Sequence, residues 1–176
     1  MVGFIGLGIM GKPIVKNLLK AGITVRVNDL VESSVDEAAA LGAIPSSLAE
    51  IGDACDTIFT ILPNGEIVQN VLFAKNGVAQ AMKSGALVVD MSSVTPAESR
   101  FCADRLAGIG AAFLDAPVSG GEPGAIAGTL SFMVGGNEES FRRALPYFSI
   151  MGASATLVGP VGSGSVAKLA NQIIVN

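Results

Sequence analysis

A lysine near the carboxyl end of the chain is the side chain best suited to proton transfer. Lys168 stands among apolar neighbours with no carboxylate close by in the sequence, and Asn171 follows it on the same helical face at a spacing of i and i+3. A lysine that is desolvated in a pocket can transfer protons near neutral pH. A single helical lysine is, however, more often a solvated surface charge, and both interpretations of Lys168 stay open at this point.

The complete absence of histidine narrows the chemistry further. It excludes a Ser-His-Asp triad, a Cys-His pair and a histidine metal site, and no metal is predicted. The single tyrosine, Tyr147, lies in an ordinary helical pattern. Proton transfer is therefore left to lysine and the carboxylates.

A second segment, residues 115–121 (Asp-Ala-Pro-Val-Ser-Gly-Gly), has the composition of a small-anion site. Pro117 stiffens the backbone, while Ser119, Gly120 and Gly121 offer N–H groups and a hydroxyl without obstructing side chains. Such a turn suits a carboxylate. The alternative is a tight connection that merely requires glycine.

A glycine motif opens the chain: Gly6-Leu7-Gly8-Ile9-Met10-Gly11 follows the apolar run 2–5 and precedes a helical pattern. In a dinucleotide-binding turn the first glycine permits the turn, the second admits a pyrophosphate and the third allows close helix packing. Asn28 and Asp29 end the next apolar run, roughly 20 residues further on, where a carboxylate can accept from ribose hydroxyls. The pattern predicts phosphates at the positive end of the helix, against the alternative of a plain glycine-rich turn.

Strand-like and helical patterns alternate along the whole chain. This alternation predicts an α/β fold of the Rossmann type, with a doubly wound, mostly parallel sheet. Runs that are apolar on both faces, such as 58–62 and 86–90, are typical of buried parallel strands. The expected strands are 2–5, 24–27, 57–62, 86–91, 112–114, 130–134 and 155–158, and the expected helices are 12–21, 35–41, 66–73, 96–106, 138–148 and from 165 onward.

Ligands of such sheets bind outside the carboxyl ends of the strands. The polar or glycine-containing loops 62–65, 91–95 and 115–121 follow three predicted strands. We therefore expect these loops to face the same crevice as the glycine motif.

Composition bounds the remaining possibilities. A chain of 176 residues suffices for one large α/β domain, and its 15% charged residues and net charge of −4 argue against a nucleic-acid groove. No membrane span is predicted. Cys55 and Cys102 are expected to be reduced core thiols, and Met1 leads directly into the first strand without room for a signal peptide. These features predict a cytoplasmic protein.

The chain resembles the β-hydroxyacid dehydrogenase family, which includes 3-hydroxyisobutyrate dehydrogenases and tartronate semialdehyde reductases. Segments 3–13, 115–121 and 162–172 carry the resemblance, and Leu62-Pro63-Asn64 and residues 90–93 also fit. The continuation 121–130 is most similar to tartronate semialdehyde reductases, also called 2-hydroxy-3-oxopropionate reductases.

The resemblance implies an oxidoreductase that transfers a hydride between NAD(P) and a small 3-hydroxy acid or semialdehyde, such as tartronate semialdehyde, which yields glycerate. It implies that Lys168 is the catalytic acid–base residue, beside Asn171 and Gln172, and that the substrate carboxylate is held by Ser119, Gly120 and Gly121. The implied cofactor residues are Gly6, Leu7, Gly8, Ile9, Met10, Gly11, Asn28, Asp29, Leu62, Pro63, Asn64, Ser93 and Thr95.

The chain departs from the family pattern in two respects. Members that prefer NADP commonly carry an arginine just after the second strand, whereas this chain has Asp29-Leu30, which favours NAD. The all-α C-terminal domain of the family, through which a homo-oligomer is expected, is absent from this chain. We therefore expect an NAD-binding Rossmann domain over 1–161, the start of the interdomain helix over 162–176, and poor activity of the isolated chain.

Other functions remain open on the sequence alone. The chain could be a non-catalytic dinucleotide-binding fragment or module. A 6-phosphogluconate dehydrogenase-like enzyme is disfavoured because the sequence has no basic cluster that would bind a substrate phosphate. Among close alternatives, a 3-hydroxyisobutyrate dehydrogenase and a succinic semialdehyde or glyoxylate-type reductase differ from the leading hypothesis only by small substrate groups.

Overall fold

A nine-stranded, mostly parallel sheet forms the centre of the computed structural model, which describes residues 1–175 and the side chains of residues 1–173. The strands are β1 Val2–Ile5, β2 Val25–Asn28, β3 Ile44–Pro45, β4 Thr57–Thr60, β5 Leu87–Asp90, β6 Ala112–Asp115, β7 Val118–Ser119, β8 Leu130–Gly135 and β9 Gly152–Gly159. The helices are α1 Gly11–Lys20, α2 Glu32–Ala40, α3 Leu48–Ala54, α4 Gly65–Phe73, α5 Pro96–Ala107, α6 Gly121–Ala127, α7 Glu138–Met151 and α8 Ser163–Val175, with a 3-10 turn at Val78–Gln80. The predicted α/β class is confirmed.

The strand order β3-β2-β1-β4-β5-β6 is that of the dinucleotide-binding fold, and all five neighbouring pairs are parallel. The chain builds outward from β1 to β3, then returns to the other side of β1 with β4. The direction in which successive strands are added to the sheet therefore reverses between β1 and β4, although both strands are parallel. Such a reversal opens a crevice at the carboxyl ends of these two strands.

Strand register aligns one residue from each central strand along this edge. Ile5 lies opposite Asn28 on one side and Thr60 on the other, Thr60 lies opposite Asp90, and Asp90 lies opposite Asp115. The loops that follow these residues consequently leave the sheet at the same edge.

The central strands are buried on both faces, as predicted from their composition. Phe59 and Val89 pack into a core with residues of α1 and α7, whereas Ile58 and Val88 face the opposite core with residues of α3, α4 and α5. Cys55 and Cys102 are free thiols buried in the second core. Among the described helices, none combines the length and the hydropathy that a membrane crossing requires.

The last third of the chain departs from simple parallel alternation. Strand β8 runs antiparallel to β6 and β7, and β9 then pairs with β8 in parallel. Helices α3 and α6 and the two-residue strands β3 and β7 were not predicted, and β9 is longer than the expected 155–158. Residues 115–121 are thus not a simple loop, because Ser119 ends β7 and Gly121 begins α6.

Candidate active site

The glycine motif forms the turn between β1 and α1, and the carboxylate of Asp29 holds it in place. The Leu7 N–H donates to Asp29 Oδ2 at 2.5 Å, and the Val31 N–H donates to Asp29 Oδ1 at 2.8 Å. The Gly6 N–H donates to the carbonyl oxygen of Asn28 at 3.1 Å. The turn is therefore tied to the end of β2 at two points, and the bond from Val31 fixes the Asp29 carboxylate itself.

The N-terminus of α1 is open to an anionic ligand. Its N-cap, Met10, makes no side-chain capping bond, and the first turn contains no acidic residue. An added Cβ at Gly8 would meet no protein atom within 4 Å. Free space beside an uncapped helix N-terminus fits a phosphate group. Four other helices, by contrast, are capped by the side chains of Ser47, Asn64, Thr95 and Asn137.

A cleft of about 730 Å³ extends from the glycine turn across the β1–β4 crevice, and we name it the glycine cleft. Its volume lies within the range of small-molecule and cofactor sites. Nine residues predicted to contact the cofactor line it: Gly6, Gly8, Ile9, Met10, Gly11, Asn28, Asp29, Leu62 and Pro63.

A second cleft of about 700 Å³, the lysine cleft, adjoins the first and shares Met10, Ile61, Leu62 and Pro63 with it. It brings together the predicted residues Ser93, Ser119, Gly120, Gly121, Lys168 and Gln172. A smaller cleft of about 280 Å³ lies on the other side of Lys168 and includes Asn64 and Thr95. The three sequence segments that suggested chemistry therefore meet around one crevice.

Lys168 projects from α8 between the lysine cleft and the smaller cleft. Its side chain is half-buried, and burial lowers its pKa from the ordinary lysine value because the charged form loses solvation. The ion pairs found among the described residues do not include Lys168. The amine is therefore available for a ligand and is more readily deprotonated than an exposed lysine.

The backbone at Gly120 and Gly121 has φ angles of +127° and +58°. Residues with a Cβ rarely adopt this region, so the turn requires glycine at these positions. Helix α6, which starts at Gly121, is held against α1 because Asn17 Nδ2 donates to the carbonyl oxygen of Ala125 at 2.9 Å.

Some predicted site residues are engaged within the protein or lie away from the clefts. The Leu7 side chain is part of the core. Thr95 caps α5, and its hydroxyl donates to Glu98 Oε2 at 2.7 Å. Asn171 lines none of the three clefts, and its Nδ2 is buried without an acceptor among the described residues.

A buried polar chain beneath the crevice was missed at the level of sequence. Thr60 Oγ1 donates to Asp90 Oδ1 at 2.8 Å, and the Ser92 N–H donates to the same oxygen at 3.1 Å. Ser92 Oγ in turn accepts from the Leu62 N–H at 2.8 Å, which fixes the loop between the two large clefts. Burial raises the pKa of Asp90. The available signal was a carboxylate at the end of a strand that is apolar on both faces.

No cluster of three or more metal-ligating side chains occurs within the part of the chain that the structure describes. The groups that the clefts offer are the glycine turn, the Lys168 amine and the turn at Ser119, Gly120 and Gly121.

Residues 1–159 match a family described as the NAD binding domain of 6-phosphogluconate dehydrogenase. The chain belongs to this family. It is therefore an NAD(P)-binding domain, and the open N-terminus of α1 and the free space beside Gly8 fit that ligand. The match covers the domain that binds the dinucleotide and ends before α8, which carries Lys168.

Relatives with similarity over nearly the whole chain confirm the resemblance to hydroxyacid dehydrogenases. The 2-hydroxy-3-oxopropionate reductase of Escherichia coli is 46% identical over 175 residues, which are 99% of this chain and 60% of that protein. The structure of Mycobacterium tuberculosis 3-hydroxyisobutyrate dehydrogenase with L-serine superimposes with a TM-score of 0.94 at 36% identity, covering 99% of this chain and 59% of that one. A structure described as Psf3 in complex with NADP+ and 2-OPP gives 0.95 at 31% identity, covering 99% and 62%.

The chain thus spans about three fifths of the length of these relatives. Any residues that the relatives contribute from the remaining two fifths of their length lie outside the geometry described above.

Proposed function

We propose that the protein containing this chain is an NAD-dependent reductase of a small semialdehyde that bears a carboxylate, and that tartronate semialdehyde is reduced to glycerate. The observation that carries this proposal is the lysine cleft, in which the amine of Lys168, which forms no ion pair with the residues that the structure describes, faces the same space as Ser119, Gly120 and Gly121. This cleft adjoins the one that begins at the glycine turn.

In this proposal, some residues of the lysine cleft bind the substrate carboxylate and Lys168 transfers the proton. The Ser119 hydroxyl and the N–H groups of Gly120 and Gly121 bind the substrate carboxylate. Lys168 donates a proton to the carbonyl oxygen as negative charge develops there, and the ammonium stabilises that charge. In the reverse direction the neutral amine accepts the proton of the hydroxy acid. When bound, the nicotinamide supplies the hydride for the carbonyl carbon.

The proposal assigns the adenosine end of the cofactor to the glycine cleft. The pyrophosphate would lie at the N-terminus of α1 beside Gly8, and Asp29 would accept from the ribose hydroxyls. Leu30 is almost fully exposed next to that carboxylate and supplies no cation for a 2′-phosphate. Repulsion between Asp29 and a phosphate therefore favours NAD over NADP.

A substrate panel on the full-length protein tests the proposal. Tartronate semialdehyde, 3-hydroxyisobutyrate and succinic semialdehyde should each be assayed with the NAD and NADP forms of the cofactor. Lys168→Ala should lower kcat by roughly 10²–10⁴-fold, the usual contribution of a general acid, while NADH affinity stays close to that of the wild type. Lys75→Ala, which removes an exposed lysine that lines none of the three clefts, is the matched control.

Each result has a clear interpretation. Near-normal kcat in Lys168→Ala would remove this lysine from its proposed role. NADH binding without turnover of any acid would favour a dinucleotide-binding module instead. Differences of one methylene between substrates should change selectivity by only ~10–200-fold, so several acids are expected to react. We further propose that the full-length protein is a cytoplasmic homo-oligomer. Sedimentation of the full-length protein would test the oligomeric state, and cell fractionation would test the location.

A further inference from the structure

The carboxylate of Asp115 is buried at the end of β6 and binds the first turn of a helix far away in the sequence. Its residue exposure is 1%. Oδ1 accepts from the Gly162 N–H at 2.8 Å, and Oδ2 accepts from the Ser165 N–H at 2.8 Å. Asp115 therefore caps α8 from 47 and 50 residues away.

This cap joins the two functional parts of the lysine cleft. On one side, the chain runs only four residues from Asp115 to Ser119, the start of the carboxylate-binding turn. On the other side, Ser165 lies one helical turn before Lys168 on α8.

The first turn of α8 is also pressed tightly onto the sheet around Asp115. An added Cβ at Gly164 would lie 2.6 Å from the carbonyl oxygen of Asp115 and 2.9 Å from the backbone nitrogen of Gly135, and would overlap the carbonyl oxygen of Met133. The buried hydroxyls of Ser99 and Ser165, 3.1 Å apart, tie the same turn to α5. These contacts and the two bonds to Asp115 therefore act together to place the start of α8.

We propose that Asp115 is a positioning residue that sets the distance between the Lys168 amine and the carboxylate-binding turn. The inference rests on the proposed reductase function. A carboxylate suits the task because it presents an acceptor to each of two N–H donors, whereas an amide presents one acceptor and one donor. Its negative charge also interacts favourably with the N-terminus of the 13-residue helix. Burial raises the pKa of Asp115, while its two backbone N–H bonds oppose that change.

The test is Asp115→Asn in the full-length protein. We expect kcat to fall about 100-fold, the effect of misplacing a reacting group by about 1 Å, while the dissociation constant for NADH stays unchanged. Amide hydrogen exchange at Gly162 and Ser165 should accelerate. The pH at which oxidation of the hydroxy acid becomes fast should rise, because a released Lys168 is better solvated.

Asn137→Ala is the matched control because it removes the N-cap of α7, in which Asn137 Oδ1 accepts from the Ser140 N–H at 2.8 Å, away from the three clefts. It should lower stability without lowering kcat. If Asp115→Asn does not fold, Gly164→Ala displaces the same turn with Asp115 intact and should reproduce the loss of kcat.

The outcomes separate this inference from the proposed function. A wild-type enzyme without turnover on any acid would overturn the proposed function alone, and the exchange rates would still decide whether Asp115 anchors α8. Turnover in the wild type together with a kcat of Asp115→Asn no lower than that of Asn137→Ala would overturn the positioning role. Unchanged exchange at Gly162 and Ser165 would overturn the anchor itself.

Discussion

Alanine substitutions at two glycines of the turn between β1 and α1 should have different effects, one on cofactor binding and the other on stability. At Gly8 an added Cβ enters empty space, whereas at Gly11 it overlaps the carbonyl oxygen of Gly6 and lies 2.9 Å from the carbonyl carbon. If the space beside Gly8 belongs to the pyrophosphate, Gly8→Ala should impair binding and spare folding. Gly11→Ala should impair folding directly.

The geometry sets the size of both effects. Ordinary contact begins at 3.4 Å, and the Gly6 carbonyl oxygen is overlapped more deeply than its carbon, so α1 must withdraw from Gly6 by more than about one ångström in Gly11→Ala. Such overpacking costs about 1–3 kcal/mol, or about 2–4 °C in Tm per kcal/mol for a domain of this size. In Gly8→Ala the added methyl group removes one charge-assisted hydrogen bond between the turn and the pyrophosphate, worth about 1.5–3 kcal/mol. The affinity for NADH should therefore fall about 10- to 100-fold.

Thermal unfolding and calorimetric titration with NADH on the full-length protein measure the two quantities. Gly8→Ala should retain the wild-type Tm and lose affinity. Ser149→Ala, which changes an exposed position on α7, is the control. Gly22→Ala is unsuitable for this purpose because Gly22 has a φ of +80°. Wild-type affinity in a folded Gly8→Ala protein would refute the assignment of that space to the cofactor. Equal losses of Tm in both variants would refute the packing argument.

Further predictions concern acid–base chemistry, cofactor choice and thiol reactivity. Oxidation of the hydroxy acid requires a neutral Lys168, so kcat should rise as the pH passes through the pKa of this lysine. Because burial lowers that pKa, the rise should occur at lower pH than for an exposed lysine. In a pH–rate profile, Lys168→Arg should abolish the rise. Asp29→Ser combined with Leu30→Arg should shift the ratio of kcat/KM values from NADH toward NADPH. Cys55 and Cys102 should resist alkylation in the native protein, since burial raises the pKa of both and that of Cys102 to about 12, and mass spectrometry would count any labelled thiols.

The central part of the fold follows from local patterns, while its additions do not. Buried strands such as β4 and β5 are legible because both faces are apolar. Helix α3 also carried a legible signal, the capping box formed by Ser47 and Glu50. Helix α6 contains two glycines and a proline in seven residues, and its support comes from Asn17, more than one hundred residues away. Local sequence contains no trace of such a contact.

The candidate site, like the fold, could be predicted only in part from the sequence. The residue types of the glycine turn and of the Lys168 helix indicate what each segment could bind or transfer. The support of these segments depends on contacts between distant strands and helices, as with Asp90 beneath Leu62 and Asp115 beneath α8. Both carboxylates end buried strands, and nothing in the adjacent residues reveals which N–H groups they will meet.

The two backbone bonds to Asp29 have a consequence for evolution of the coenzyme preference. Because both oxygens are already engaged by Leu7 and Val31, the carboxylate is immobilised before any nucleotide arrives. Rotamer entropy lost by this side chain is part of folding and is not lost again on association. If the cofactor binds as proposed, the same restraint would prevent the anion from moving aside for a 2′-phosphate. Relaxed selectivity would thus require replacement of the residue rather than its motion.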